Sequence, residues 1–485
     1  MMAEHAVVIA GGGPTGLMLA AELKLAGIDA VVVERRTTEE FEGSRAGGLH
    51  ARTIEVLDQR GVAERFVAEG KKYPGVGYAQ IPLDISDFPS RHNYLLGLWQ
   101  RISERILGEW VAELGVVVMR GSEITGLTQE EHGVAVALAG GTTLHARYLV
   151  GCDGGRSIVR KSAAIDFTGV DASTRWMIAE VEMDDEPEFG FHHDSIGTHA
   201  INRPDPEAPI GVVLTERTTM HTGEPSLQDL RDALVAVYGT DYGVHSPSRI
   251  SRFTDMTRHA GAYRSGRVLL AGDAAHVHPP QGGQGLNIGV QDAVNLGWKL
   301  AQVVDGTSPE HLLDTYHSER HPIAAQVLRN TMAQVTLIRR DERHQAVHAA
   351  MRELLSMEEP RKKFAGMLSG LDVRYDLGDG HPLVGRRMPD LDIVTKQGAT
   401  RVFALLHDAR PLLVNFGAPG TFDSSPWPRV RTVDATYSGA WELPVVGEVP
   451  APRAALIRPD GYVAWAGDLA DPAVAEAANL WFGAR

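Results

Sequence analysis

The chain of 485 residues has a single cysteine, Cys152. That excludes an intramolecular disulfide and any Cys-x-x-Cys redox pair. With no paired base in sequence reach, Cys152 reads as a small core residue. No apolar run approaches membrane-spanning length, and the opening MMAEHAVVIAGGG enters a strand at once, which leaves no room for a signal peptide. A cytoplasmic protein is expected. Basic residues are outnumbered, 47 Lys plus Arg against 62 Asp plus Glu, for a formal net charge of −15. A broad basic face for nucleic acid or an anionic membrane is therefore not expected. Metal-ligand spacing is missing too. His276/His278 and His317/His321 are pairs without a third ligand nearby, and HSERH places Glu319 wrongly for a His-Glu-x-x-His helix.

What is present is the size for two or three domains, with 43% hydrophobic and 22% charged residues, as in an ordinary globular enzyme. Residues 6–10 (AVVIA) are followed by Gly11-x-Gly13-x-x-Gly16, a helix with apolar Leu17, Leu19, Ala20, Leu23 and Leu25, and a second apolar run at 30–33 ending in Glu34. Strand, glycine turn, helix, strand and acid in that order are the context a dinucleotide fingerprint requires. Glu34 can accept hydrogen bonds from a ribose diol. Arg35 raises the question of a 2′-phosphate, but Glu34 would repel one, so a free ribose fits better. Arg45 stands ahead of a helix carrying Ile54, Val56 and Leu57, as either a phosphate contact or a solvated arginine.

Gln100 and Arg101 begin an amphipathic helix ended by Gly115, and 116–119, 123–127 and 133–138 read as strands of a small meander. An apolar run at 146–150 meets a second Gly/Asp turn, GCDGGRS, with Asp153. A third, at 268–271, leads into GDAAHVHPPQGGQGLNIGVQDAVNLGWKLA (272–301). Its Pro-Pro step, Gly282, Gly283 and Gly285 make a turn that feeds a helix from about Leu286. Free N–H groups and the positive helix end there suit something flat and anionic, pressed close to the backbone.

Between the second and third motifs the pattern alternates as strands, with one helix near 227–238. The expected fold class is α/β, with a Rossmann-like nucleotide-binding domain formed by 1–70, 100–165 and 266–305. Residues 71–99 and 166–265 would form a substrate-binding domain with an inserted β-sheet, and 306–385 a long helical segment. Residues 386–485 would close the chain as a small α/β domain, with 402–406, 411–416 and 454–457 as strands and 472–482 as a helix opened by a proline.

GGGPTG with Glu34, CDGGRS and GDAAHVHPPQGGQGLN, in this order, resemble the class A flavoprotein monooxygenases of the para-hydroxybenzoate hydroxylase fold. AYRSGRVLLAGD, LLDTYHSERHP and RYDLGDGHPLVGRRMP extend the likeness to the branch of aromatic polyketide (angucycline and anthracycline) hydroxylases and rifampicin monooxygenases. LIRPDGYVAWAG is similar to that branch's thioredoxin-like C-terminal domain, which lacks Cys-x-x-Cys. The resemblance covers nearly the whole chain. It implies bound FAD, transient NADPH or NADH, and O₂-dependent hydroxylation of a polycyclic aromatic polyketide through a flavin C4a-hydroperoxide, in antibiotic biosynthesis.

By the same resemblance, Gly11, Gly13, Thr15 and Gly16 hold the FAD pyrophosphate, with Glu34, and Arg35 beside it, at the adenosine ribose. Arg45 and Gln100 reach phosphate and ribityl, and Asp153 serves FAD and the nicotinamide cofactor. Asp273 holds the ribityl chain, Pro280 and Gly283 line the flavin, and main-chain groups of Gly285, Leu286 and Asn287 face its N1–C2=O edge. No residue stands out as catalytic acid or base. Baeyer–Villiger insertion, rifampicin-type inactivation and a flavin-binding scaffold without turnover are the alternatives. Gly47, where some rifampicin-type relatives carry arginine, weakens the second. A monomer or homodimer is expected.

Overall fold

The computed structural model describes residues 5–38, 47–203, 209–216, 223–339, 341–420, 422 and 425–483. The continuous apolar runs become parallel strands in the order Val268–Leu270, Thr143–Gly151, His5–Ala10, Ala30–Glu34 and Val117–Arg120, largely buried except for the edge strand Val117–Arg120, with Arg264–Ser265 antiparallel at the other edge. Such strands are apolar throughout because helices cover both faces. Val117–Arg120, expected in the meander, instead joins this sheet beside Ala30–Glu34. Only Ile124–Gln129 and Val134–Leu138 form the meander, which pairs onto the first half of Thr143–Gly151. The register sets Ala10, Gly151 and Leu270 side by side. The three glycine- and aspartate-containing loops therefore leave the same edge of one sheet.

Helix Pro14–Leu25 is buried between this sheet and helix Gln284–Val304. Gly16 permits the close approach, since a Cβ there would fall inside the carbonyl oxygen of Gly11.

The inserted layer is a five-stranded antiparallel sheet in the order Gly190–His193, Thr198–Asn202, Ile210–Glu216, Arg175–Glu182 and His245–Thr254. Met177, Ala179, Val181, Val212 and Leu214 pack under Leu230 and Leu234 of helix Leu227–Tyr238. Strand alternation sends Trp176, Ile178, Val213 and Phe253 to the opposite face. A small sheet of Phe167–Val170, Thr257–Ala260 and His276–Val277 ties this layer to the loop after Leu270.

Residues 71–99, expected in the substrate layer, sit apart from the five-stranded sheet. Lys71–Tyr73 and Leu95–Gly97 form a three-stranded sheet with Gly48–Leu49. The hairpin Gly75–Tyr78/Ile81–Asp84 packs Val76, Tyr78, Ile81 and Leu83 on the helical segment, whose helices are Asp314–Leu337, Glu342–Leu355 and Glu358–Ser369.

The terminal domain is a six-stranded mixed sheet with helix Ala473–Phe482, preceded by Pro472 at the cap position. Residues 402–406 are not a strand. Phe403–Leu406 is a 3-10 turn that buries Phe403 and Leu406, and so short an apolar run does not distinguish the two. Trp427, Trp465, Trp481 and Phe482 are part of the first domain's core, so the terminal domain is fused to it. No helix among the described residues is long and apolar enough to cross a membrane.

Candidate functional site

The first loop is shaped for a ligand that approaches the main chain. Gly13 caps helix Pro14–Leu25, and the space where its Cβ would stand is open. Thr15 turns its hydroxyl inward against Gly272 and Gly289, binding the first motif to the third. Cys152 lies behind Gly11 and Gly16, and burial pushes its thiol well above the usual range, so it is a packing residue.

Glu34 accepts from the Gly12 N–H at 2.7 Å and the Arg36 N–H at 2.8 Å. Burial works against its charge, but the Arg36 amide and guanidinium, with Gly12, more than offset it and hold the carboxyl below its usual value. The guanidinium beside Glu34 is thus that of Arg36, not Arg35. The chain leaves the sheet at Glu34, Arg35 points to solvent, and Arg36 turns back. Arg36 also donates to Glu104 at 2.9 Å and to the Gly12 carbonyl at 3.2 Å, and Gln100 donates to the other Glu104 oxygen at 2.7 Å. Glu34 and Gln100 therefore belong to one hydrogen-bonded chain. Arg45 lies outside the described residues.

In the second loop, Asp153 accepts from the N–H groups of Ile158 and Val159 at 2.8 and 3.1 Å with one oxygen. Its other oxygen is buried without a partner among the described residues. Arg160 reaches across to the Ala274 carbonyl at 2.8 Å and back to that of Gly155 at 2.9 Å. Its guanidinium lies 3.6 Å from the Phe167 ring centroid. It locks the second loop to the third.

Asp273, in the 3-10 turn Gly272–Ala274, is exposed, as is Pro280. A Cβ on Gly285 would lie 3.8 Å from both the Asp273 carboxylate and His278 Nε2, so that glycine lines a narrow cradle. Beneath it sits Asp292, which accepts from the Gly272 N–H at 3.1 Å, His276 at 2.7 Å and Arg320 at 2.7 Å. Burial opposes the Asp292 charge, but Arg320 and then His276 hold its carboxyl lowered. His276 thus serves a carboxylate, and no group of three or more potential metal ligands occurs among the described residues. Helix Gln284–Val304 follows Gly282 and Gly283, both left-handed at φ +76° and +64°. Asn287 spends its side chain on His50, Gly48 and Gly283, and its carbonyl accepts from the Thr53 hydroxyl at 3.5 Å, which ties the start of this helix to helix Ala51–Asp58.

Residues 4–331 match the FAD binding domain family, and residues 381–484 the aromatic-ring hydroxylase C-terminal family. A 12-dehydrotetracycline 5-monooxygenase/anhydrotetracycline 6-monooxygenase of Streptomyces rimosus subsp. rimosus is 43% identical, with 99% of each chain covered. A rifampicin monooxygenase of Streptomyces venezuelae is 44% identical over 99% of this chain and 98% of that one. The solved structure of an anhydrotetracycline hydroxylase from Streptomyces rimosus superposes with a TM-score of 0.91 at 42% identity, covering 99% of both chains. With these likenesses spanning both ends of the molecule, the chain belongs to the family of FAD-dependent aromatic-ring monooxygenases.

Proposed function

We propose that this protein hydroxylates a polycyclic aromatic polyketide in antibiotic biosynthesis, with bound FAD, NADPH or NADH as reductant, and O₂. The reading takes it to be cytoplasmic, as a monomer or homodimer. The observation that carries the proposal is the alignment of Ala10, Gly151 and Leu270, which sends three ligand-type loops from the carboxyl ends of neighbouring strands.

The residues present fit FAD. Open space at Gly13 and a helix start suit the pyrophosphate, and Glu34 has lone pairs left for a ribose diol. Gln100, the exposed Asp273 and the unpaired Asp153 oxygen offer polar contacts along the chain between them. The N–H groups at residues 284–286 have no intrahelical acceptor and would face the flavin edge. When bound, FAD supplies the redox chemistry of nicotinamide oxidation and O₂ activation. The chain's own part is to bind, to orient and to place donors where negative charge develops on reduction.

Buried Trp176 stacks on half-buried Phe253 with centroids 5.1 Å apart and, with half-buried Ile178 and Val213, gives the inserted sheet an apolar face free of its helix. That face suits a flat, fused-ring substrate.

The test is NADPH or NADH consumption by the FAD-loaded protein against naphthacene, angucycline and ansamycin compounds. Substrate-stimulated consumption, with a product heavier by one oxygen and unchanged ring sizes, is expected for the first two. The 44% identity to a rifampicin monooxygenase sustains a second reading, and a response confined to ansamycins would establish it. Protein that stays colourless after FAD addition would refute both.

A further inference from the structure

The turn that precedes helix Gln284–Val304 is held from outside by a residue that the flavin reading leaves unused. His50 stands at the entry of helix Ala51–Asp58, and its own N–H donates to Asn287 Oδ1 at 2.7 Å. Its ring Nε2 lies 2.7 Å from the Gly282 carbonyl oxygen. A carbonyl only accepts, so the ring carries its proton on Nε2 and donates it. Asn287 turns back on the same turn, donating to the Gly283 carbonyl at 2.7 Å and to that of Gly48 at 3.2 Å. Its amide orientation is fixed, because Oδ1 faces an N–H while Nδ2 faces two carbonyls.

Both residues are buried, and the His50 ring lies against the turn, 3.7 Å from where a Gly283 Cβ would be. Within the turn, the Gly283 N–H reaches the Pro280 carbonyl at 3.0 Å, and Gln284 adds a contact of 3.4 Å to the Gly282 oxygen. Two successive left-handed glycines have no side chains to lock them. The direction of their peptide groups, and so the aim of the helix N–H groups that follow, rests on hydrogen bonds from His50 and Asn287.

We propose that His50 is a positioning residue: with Asn287 it clasps the Gly282 and Gly283 turn and aims the first N–H groups of helix Gln284–Val304 at the flavin edge. The inference rests on the reading that FAD lies against residues 285–287. Reduced flavin is anionic at N1, so donors held in direction favour the reduced form, and donors free to swing favour it less. Burial pushes the His50 ring down to about 4, against the pull of the Gly282 carbonyl. The ring is therefore neutral, and the donor in place, throughout the neutral range.

The midpoint potential of the bound flavin tests this in the full-length protein. His50→Leu removes the donor, and His50→Gln keeps an N–H at comparable reach. The Leu variant should shift the equilibrium about tenfold toward oxidised flavin, a fall of about 30 mV for a two-electron couple, and the Gln variant should restore most of it. A Leu variant that retains FAD at the wild-type potential overturns the inference while leaving the flavin reading intact. If the Leu variant does not retain FAD, recovery of both binding and potential by Gln supports the clasp, and failure of Gln to recover either overturns it. Wild-type protein that takes up no FAD overturns the reading beneath and the inference with it.

Discussion

Arg458 forks onto Glu319, Nη1 to Oε1 at 2.8 Å and Nη2 to Oε2 at 2.7 Å, with both side chains buried. Arg458 follows strand Ala454–Ile457 of the terminal domain, and Glu319 lies on helix Asp314–Leu337. The same guanidinium meets Asp460 at 2.5 Å, Lys299 Nζ lies 3.0 Å from Glu319, and Arg52 donates to the Asp460 carbonyl at 2.8 Å. Lys299 and Arg52 belong to the two helices that flank the glycine turn. The terminal domain is keyed into the helices that flank the glycine turn rather than tethered beside them.

Arg458→Ala leaves Glu319 and Asp460 buried without their main cation, and losing one partner of a buried ion pair typically costs about 3–5 kcal/mol. Denaturant unfolding of the variant should show a loss of that order, with Arg458→Lys recovering only part because it lacks the fork. A loss below about 1 kcal/mol contradicts the keyed interface.

The environment of Glu34 separates three substitutions that look alike in sequence. Charged hydrogen bonds are worth about 1.5–3 kcal/mol, so Glu34→Ala should weaken FAD binding by about ten- to a hundredfold. Arg36→Ala should weaken it measurably, because Glu34, Glu104 and the Gly12 carbonyl lose a shared donor. Arg35→Ala should leave it unchanged. Fluorescence titration of apoprotein with FAD ranks the three, and an Arg35 effect equal to that of Arg36 would be inconsistent with the geometry.

Trp176→Ala should raise KM for the aromatic substrate about tenfold, since it removes the buried ring on which Phe253 stacks and so the support of the apolar face. FAD affinity should not move. An unchanged KM would exclude this sheet face as the substrate platform.

Stability should fall with acidity below pH 6.5. His50 has a folded-state value of about 4 against 6.5 when free, so the unfolded chain binds a proton that the folded one does not. The stabilisation is complete above pH 6.5, declines as pH falls toward 4 and then levels off, at no more than about 1.4 kcal/mol per pH unit for this group. His259 adds a further loss of the same sign. Its ring stacks on His321 at 3.8 Å, and burial, then His321, push it down to about 3. Urea unfolding at pH 7 and pH 5 should differ, and His50→Gln should narrow the difference. Equal stability at the two values contradicts the burial assigned to these rings.

Local chemistry was legible in the chain, and distant partnership was not. The glycine fingerprint and Glu34 stood out because one βαβ unit holds all their contacts within a short stretch. Arg35 is next to Glu34 in sequence, whereas the turn of the main chain after Glu34 gives the contact to Arg36. Residues 402–406 and 116–119 are apolar runs too short to fix helix against strand or one sheet against another. Asp292, Arg320, Arg458 and His50 were hidden for a different reason. A charged or imidazole side chain reads as surface, and each of these is buried only because a partner arrives from far along the sequence, as Asn287 does for His50.

The most direct measurement of the central claim is the mass of the product formed by FAD-loaded protein and NADPH under isotopically labelled O₂, with a polycyclic aromatic polyketide as substrate. A product carrying one labelled oxygen on an intact ring system is the result this structure predicts. A product of unchanged mass, or oxygen drawn only from water, would contradict it.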